Sequence, residues 1–366
     1  MKILFVGGGS GGPVSPLLAV AGAIKKENPH AKFLLVGSKQ GPEKQMAENA
    51  GIPFKAIAAG KLRRYFSWQN FIAPFFTITG FFEAVRILKE FRPSCVFAAG
   101  SFVQVPVVYA AWFLKIPVVL HQQDVVPSLA NKLCQFCAKK ITVTFETSLS
   151  SFFTDLGIIY KKRQPEKVVL TGNPFRGELA QATKEQGLKK FGLKNDLPVL
   201  LVLGGGTGSE YLNKLILKTV NEITKTFQVL HATGKNKSKL EPRENYHPYE
   251  FITDMAAAYA ASEIVVCRAG ISTITELSNL GKLSIIIPMP KSHQEVNGYY
   301  LAESSAAVVL RQSMIKPAGF TRLLRKILFE GKAQKYIKAN ISTIMPKNSA
   351  EKIARIIIKI YDDGKK

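Results

Sequence analysis

Residues 1–12 read MKILFVGGGSGG, and residues 197–209 read LPVLLVLGGGTGS. In each, a short apolar run that suits a strand buried on both faces, Ile3–Val6 or Val199–Leu203, ends in a glycine cluster. A helical pattern follows, Pro16–Lys26 in the first case and about Tyr211–Lys225 in the second. Small residues between a strand and a helix let backbone N–H groups and the helix N-terminus approach an anionic oxygen, so both loops are candidate phosphate sites. Two such starts in 366 residues predict two doubly wound parallel α/β domains.

Working outward from the first start, further strands are expected at Phe33–Val36, Ser94–Ala98, Val118–Leu120, Ile141–Thr144 and Val168–Leu170. After the second they are expected at Gln228–His231, Ile264–Cys267 and Ser284–Ile287, with a helix over Ile271–Leu280. The second half repeats the architecture of the first without repeating its sequence. The polar stretch YKKRQPE at Tyr160–Glu166 is the expected end of a first Rossmann-like domain, residues 1–166. Residues 167–347 then form a second, and residues 348–364 a basic amphipathic helix centred on Ala350–Tyr361.

Composition narrows the function. The formal charge of +24 is evenly spread, with 20 basic and 9 acidic side chains in residues 1–166 and 30 and 17 in residues 167–366. Such a surface suits phosphorylated ligands, anionic lipid or nucleic acid. No zinc finger, RNP-like aromatic motif or helix-turn-helix accompanies the charge, so nucleic acid is not the expected partner. Four cysteines make no disulfide framework in a chain this long; Cys134 and Cys137, in an expected helix Leu129–Lys139, are an isolated CxxC with little power to indicate metal or redox chemistry. The N-terminus has no cleavable-signal pattern, and no run reaches the roughly 18–20 apolar residues of a membrane span, so a soluble or peripheral protein is expected.

The first loop contains a G-x-G-x-x-G match, but the acid that would hold a nicotinamide ribose about 20 residues later is missing. Lys39 and Gln40 stand there, and the nearest acid is Glu43. The second loop has no Walker lysine, which argues against a P-loop NTPase.

Six stretches in order, GGGSGGPVSPLLAVA (7–21), HQQDVVPSLANK (121–132), TGNPFR (171–176), LGGGTGSEYLN (203–213), the long Phe251–Leu277 segment and HQEVN (293–297), give the chain a resemblance to the MurG family. These transferases add N-acetylglucosamine to the lipid-linked muramyl-pentapeptide precursor of peptidoglycan. The resemblance implies a GT-B fold: two Rossmann-like domains facing across a cleft, the first for acceptor and membrane, the second for the UDP-sugar, with the C-terminal helix returning to the first. It implies that Arg176, Gly205, Gly206 and Thr207 face the donor pyrophosphate, with Arg268 alongside. Phe251 and Ile252 would frame the uracil. Ile271, Ser272 and Thr273 would present a helix start to the phosphates, Glu276 would bind the ribose, and Gln294 and Asn297 would bind the sugar. On the acceptor side it points to Ser10, Gly11, Gly12, Asp124 and Asn131. No cofactor or catalytic metal is implied; helix N-termini and arginine take the metal's place.

Several positions depart from the family pattern. The histidine that usually closes the first loop, a favoured general base, is Pro13 here, and HEQN becomes HQQD at 121–124. Proline cannot accept a proton, so Asp124 and His121 become the candidates. GGSQGA becomes GGGTGS, and the glutamine before TGK is Ala232. Backbone phosphate contacts survive such changes, whereas side-chain contacts to the sugar need not.

The segment Lys61–Phe76, with Arg63, Arg64, Trp68, Phe71, Phe75 and Phe76, mixes cations with large apolar groups. A peripheral enzyme of the cytoplasmic face, acting on a lipid acceptor at an anionic membrane, would need such a surface. The expected substrates are UDP-N-acetylglucosamine and undecaprenyl-pyrophosphoryl-muramyl-pentapeptide. Two other readings stay open: a UDP-hexose-dependent diacylglycerol glycolipid synthase, and a non-catalytic UDP-sugar or lipid-binding module, for which Pro13 argues.

Overall fold

The computed structural model describes residues 1–60, 68–152, 165–235 and 240–365. The chain divides into two compact units, Met1–Phe175 with Met345–Lys366, and Arg176–Ile344.

Unit 1 opens with β1 (Lys2–Val6), α1 (Gly11–Glu27), β2 (Lys32–Ser38), α2 (Glu43–Asn49) and β3 (Phe54–Ile57). It continues with α3 (Gln69–Phe91), β4 (Cys95–Ala98), α4 (Gln104–Phe113), β5 (Val118–Gln122), α5 (Leu129–Cys134), β6 (Lys140–Val143) and β7 (Val168–Leu170). The strands form one parallel sheet in the order β3-β2-β1-β4-β5-β6-β7. Because β7 pairs with β6, this unit runs past the expected end at residue 166, to Phe175.

Unit 2 contains α6 (Lys184–Phe191), β8 (Val199–Leu203), α7 (Glu210–Ile223), β9 (Gln228–Ala232), β10 (Tyr246–Tyr249), α8 (Met255–Ala261) and β11 (Ile264–Cys267). Then come α9 (Ile271–Leu280), β12 (Leu283–Ile286), α10 (His293–Glu303), β13 (Val308–Val309), α11 (Pro317–Phe329) and α12 (Gly331–Thr343). Its parallel sheet has the order β10-β9-β8-β11-β12-β13. After it, α13 (Ser349–Asp363) belongs to unit 1, where it lies beside α1 and buries Ile353, Ala354, Ile357 and Ile360 against Val20, Ile24 and Phe97. The C-terminal helix thus returns to the first unit.

Parallel strands must be covered on both faces, which explains why Ile3–Val6 of β1 and the whole of β4, β8 and β11 read as unbroken apolar runs and are buried. In both sheets the strand order reverses beside the first strand, between β1 and β4 and between β8 and β11. Chain leaving two such strands in opposite directions opens a crevice at their C-terminal ends, the usual ligand position in this architecture. Both glycine loops sit there.

The expected helix through the CxxC ends early, at Cys134, and burial pushes the thiols of Cys134 and Cys137 up, so neither is a ready thiolate. The sequence expectation about membrane length also needs correction. Phe71–Phe91 of α3 is long and apolar enough to cross a membrane by length and composition. It nevertheless packs one face on unit 1: Ala73, Ala84 and Leu88 are buried, and the Glu83 carboxylate accepts the Ala58 N–H at 2.6 Å.

Candidate functional site

In unit 2 three loops converge at the C-terminal ends of β8, β11 and β12, and Arg268 holds them together. Its Nε donates to Ser209 Oγ at 3.0 Å, and its Nη1 to the carbonyls of Ile287 and Pro288 at 3.0 and 3.1 Å. Its guanidinium lies 5.5 Å from the centroid of the Tyr211 ring. Expected beside the pyrophosphate, Arg268 has its Nε and Nη1 committed to protein instead, so we assign it to positioning. Ser209 is also the N-cap of α7, accepting from Leu212 N–H.

The second glycine loop leaves its tip open. Gly205 and Gly206 have clear space where a side chain would be, and Thr207 is exposed. Gly208 closes the loop with its N–H on the Gly205 carbonyl at 3.0 Å. With φ +73 it lies so near the next loop that a Cβ would stand 2.2 Å from the Thr233 oxygen, and only glycine fits.

The start of α9 faces the same end of the sheet. Its N-cap is Gly270, which offers no side chain, so the first-turn N–H groups carried by Ile271, Ser272 and Thr273 have no cap. One turn further on, Glu276 accepts the Tyr259 hydroxyl at 2.6 Å. Burial raises the Glu276 carboxyl, opposed by that hydrogen bond and by the Arg176 charge, and the buried Tyr259 phenol is pushed well up. Arg176 itself reaches Glu178 at 3.2 Å through Nη1, while its Nε is buried without a partner among the described residues. Glu276, Arg176 and the α9 start therefore form one polar group.

The remaining expected residues divide. Phe251 is 57% exposed and Ile252 is buried beside it. Gln294 accepts the Met289 N–H at 3.1 Å through its carbonyl oxygen, which leaves its NH2 as the donor for a ligand. Asn297, expected at sugar hydroxyls, is instead buried with its amide on the Ala269 carbonyl at 3.2 Å, tying α10 to the loop after β11. Tyr259 was not anticipated; a lone hydroxyl in the alanine-rich MAAAYAA was its only signal.

In unit 1 the expected base His121 is fully buried. Its Nδ1 lies 2.9 Å from Thr142 Oγ1 and its Nε2 2.8 Å from Asn173 Oδ1, so neither nitrogen is open to a substrate. It is a core residue. Asn131 is likewise internal, bonded to Gln104, Gln122 and the His121 carbonyl in a buried amide network. Asp124 is half-buried just past β5, and Ser10, Gly11, Gly12 and Pro13 open α1, with Ser10 exposed as its N-cap. Pro13 falls in the first helical turn, where its missing N–H costs no helical bond but removes one donor from the helix start.

His231 mirrors His121, held between Tyr246 and Asn213 at 3.0 and 3.1 Å. Burial lowers both imidazoles from 6.5 to about 4. The unfolded chain therefore takes up these protons first, so the stability they contribute is complete above about pH 6.5 and lost as pH falls toward 4. Each is worth roughly 3 kcal/mol across that window. We expect a urea midpoint that falls steeply between pH 6.5 and 4; one independent of pH there would exclude the neutral buried pair.

Of the expected membrane residues, Arg63 and Arg64 lie outside the described residues. Trp68, Phe71, Phe75 and Phe76 project from α3 and its start, with Trp68 76% and Phe75 70% exposed. Trp112 and Phe113 of the adjacent α4 extend the face, the Phe113 ring packing on Phe81. So many exposed aromatics on two packed helices exceed scattered surface apolarity.

Residues 3–143 match the glycosyltransferase family 28 N-terminal domain, and residues 199–355 its C-terminal domain. A relative from Clostridium botulinum (strain Langeland), named UDP-N-acetylglucosamine--N-acetylmuramyl-(pentapeptide) pyrophosphoryl-undecaprenol N-acetylglucosamine transferase, is 35% identical over 98% of this chain and 99% of its own length. One of the same name from Clostridium tetani is 35% identical over 98% of both. Among solved structures, Acinetobacter baumannii MurG superposes with TM-score 0.71 at 22% identity, over 98% of this chain and 99% of that one. A UDP-GlcNAc 2-epimerase from Neisseria meningitidis, bound to UDP-GlcNAc, gives 0.70 at 16%, over 98% of this chain and 100% of that one. The fold is thus shared by transferases and epimerases.

Proposed function

The chain belongs to glycosyltransferase family 28, and from that footing we propose that it moves N-acetylglucosamine from UDP-N-acetylglucosamine to undecaprenyl-pyrophosphoryl-N-acetylmuramyl-pentapeptide. It is a hexosyltransferase of peptidoglycan synthesis. The observation that carries the reading is the unit 2 cluster: Glu276 on Tyr259, Arg176 with a buried Nε that has no partner among the described residues, and an open glycine loop, in a chain that matches the clostridial transferases over 98% of its length. A carboxylate for ribose hydroxyls and converging N–H and guanidinium groups for a pyrophosphate are what a nucleoside-diphosphate sugar requires.

Transfer from an α-linked donor to a β-linked product is a single in-line displacement. As the leaving pyrophosphate gains charge, Arg176, the Gly205–Thr207 backbone and the α9 start stabilise it. Asp124 is the proposed base, since His121 is sealed in the core and position 13 carries no proton acceptor; native turnover in Asp124→Asn would remove it from that role.

The test is transfer of radiolabelled N-acetylglucosamine to a short-chain lipid-linked muramyl-pentapeptide, with and without EDTA. Transfer that persists in EDTA is expected. No transfer by protein that still binds UDP would overturn the reading, and UDP-galactose or UDP-glucose with diacylglycerol would then test the glycolipid alternative.

A lipid acceptor also calls for peripheral attachment, here at the cytoplasmic face, through the aromatic side of α3 and α4. Burying three aromatics at the acyl boundary contributes several kcal/mol. Trp68→Ser, Phe71→Ser and Phe75→Ser together should lower partitioning onto anionic vesicles by about 100-fold or more and leave UDP affinity unchanged. Unchanged partitioning would exclude this face.

A further inference from the structure

The two glycine loops occupy equivalent places in their sheets, yet they are filled differently. In unit 2 the Gly205–Thr207 tip is open, as described. In unit 1 the corresponding loop already holds a carboxylate. Glu43, at the start of α2, is fully buried, and its Oε1 accepts the Gly9 N–H and the Ser38 N–H, each at 3.0 Å, together with the Ser38 hydroxyl. Its Oε2 is also buried, with no partner among the described residues.

The surrounding backbone is shaped to this group. A Cβ on Gly8 would meet Glu43 Oε1 at 2.6 Å, and one on Gly37 would meet its Cγ at 2.7 Å. Gly9, at φ +81, is closed from another side by the Phe102 ring, 2.8 Å from where its Cβ would be. The Gly9 N–H of a strand-to-helix turn, the kind of group that cradles phosphate in dinucleotide sites, is thus consumed internally, and a second anion there would face a buried carboxylate.

We propose that Glu43 is a positioning residue, a built-in carboxylate ligand of the Gly7–Gly12 loop that fixes the loop for the acceptor and denies its inner face to phosphate. The acceptor part rests on the reading that unit 1 receives the lipid-linked substrate. The arrangement also accounts for the failure of the G-x-G-x-x-G match to indicate a nucleotide: the acid beyond β2 folds back to the loop and does not wait for a ribose.

The test uses the full chain with Glu43→Ala and Glu43→Gln. Removing the carboxylate frees the donors and leaves a space that formate fits. In E43A the KM for the lipid acceptor should rise about 10- to 100-fold, with donor KM and UDP affinity unchanged. Sodium formate, against sodium chloride at matched ionic strength, should raise the thermal midpoint of E43A, lower its acceptor KM and leave the native protein unaffected. E43Q keeps the Oε1 acceptor without the charge and should fall between, with acceptor KM up about 3- to 10-fold; it decides the matter if E43A does not fold. A native acceptor KM in E43A or, failing that, in E43Q, or an E43A midpoint indifferent to formate, overturns the proposal. Should the native enzyme not glycosylate the muramyl-pentapeptide lipid, the functional reading fails, while the formate-dependent midpoint still decides the place of Glu43.

Discussion

Glu276→Ala is expected to lower kcat/KM for the UDP-sugar by about 10²- to 10³-fold, because it removes a carboxylate that can accept from two ribose hydroxyls, each such bond being worth about 1.5–2 kcal/mol. It also strips the Tyr259 hydroxyl, buried in α8, of its 2.6 Å acceptor. An orphaned buried hydroxyl costs roughly 1–3 kcal/mol of stability, so E276A should be both a poor enzyme and a less stable protein. Glu276→Gln separates the two effects. Its amide oxygen still accepts from Tyr259 and the thermal midpoint stays near native, but its NH2 cannot accept a ribose O–H. Titration calorimetry with UDP reads the loss directly; native UDP affinity in E276Q would remove Glu276 from the donor site. Because burial raises this carboxyl, donor affinity should also weaken as pH falls at values above the ordinary carboxylate range.

What could be read ahead of the structure follows from where information sits in a doubly wound fold. Central strands are buried on both faces, so β1, β4, β8 and β11 appear as apolar runs, and the loops after β1 and β8 as glycine clusters. Of the four edges, only β7 (Val168–Leu170) carries such a mark. β3 (FKAI), β10 (YHPY) and β13 (VV) are short, one-sided or polar, and none was anticipated. At the site the difficulty is different: a polar residue in a motif does not reveal whether it faces a ligand or braces the scaffold. His121, Asn131, Asn297 and Arg268 look like ligand contacts in the sequence, and three-dimensional packing turns them into braces. Glu43 is the converse. Five residues past the end of β2 and exposed by any local pattern, it is buried because Gly8, Gly37 and Gly41 leave room for it.

Arg268 provides the sharpest check on the idea that this site is held by braces as much as by contacts. A substrate-binding arginine and a loop-positioning one predict different losses. If Arg268 positions, Arg268→Leu releases the Gly204–Ser209 loop, the Ile287–Pro288 segment after β12 and the Tyr211 ring together, since one guanidinium serves all of them. Two backbone carbonyls and Ser209 lose their donor at roughly 1 kcal/mol each, so stability should fall by about 2–3 kcal/mol. With the glycine loop and the Gln294 amide no longer in fixed register, kcat/KM for the donor should drop by about 100-fold or more. Amide exchange at 204–212 and 287–294 should quicken in the unliganded protein, a change that loss of a substrate contact alone would not cause. Arg268→Lys keeps the charge but cannot span Ser209 and both carbonyls, so it should resemble the leucine variant. If lysine restores the activity while exchange in the loops never changed, the charge acts on the substrate and Arg268 belongs to the pyrophosphate after all.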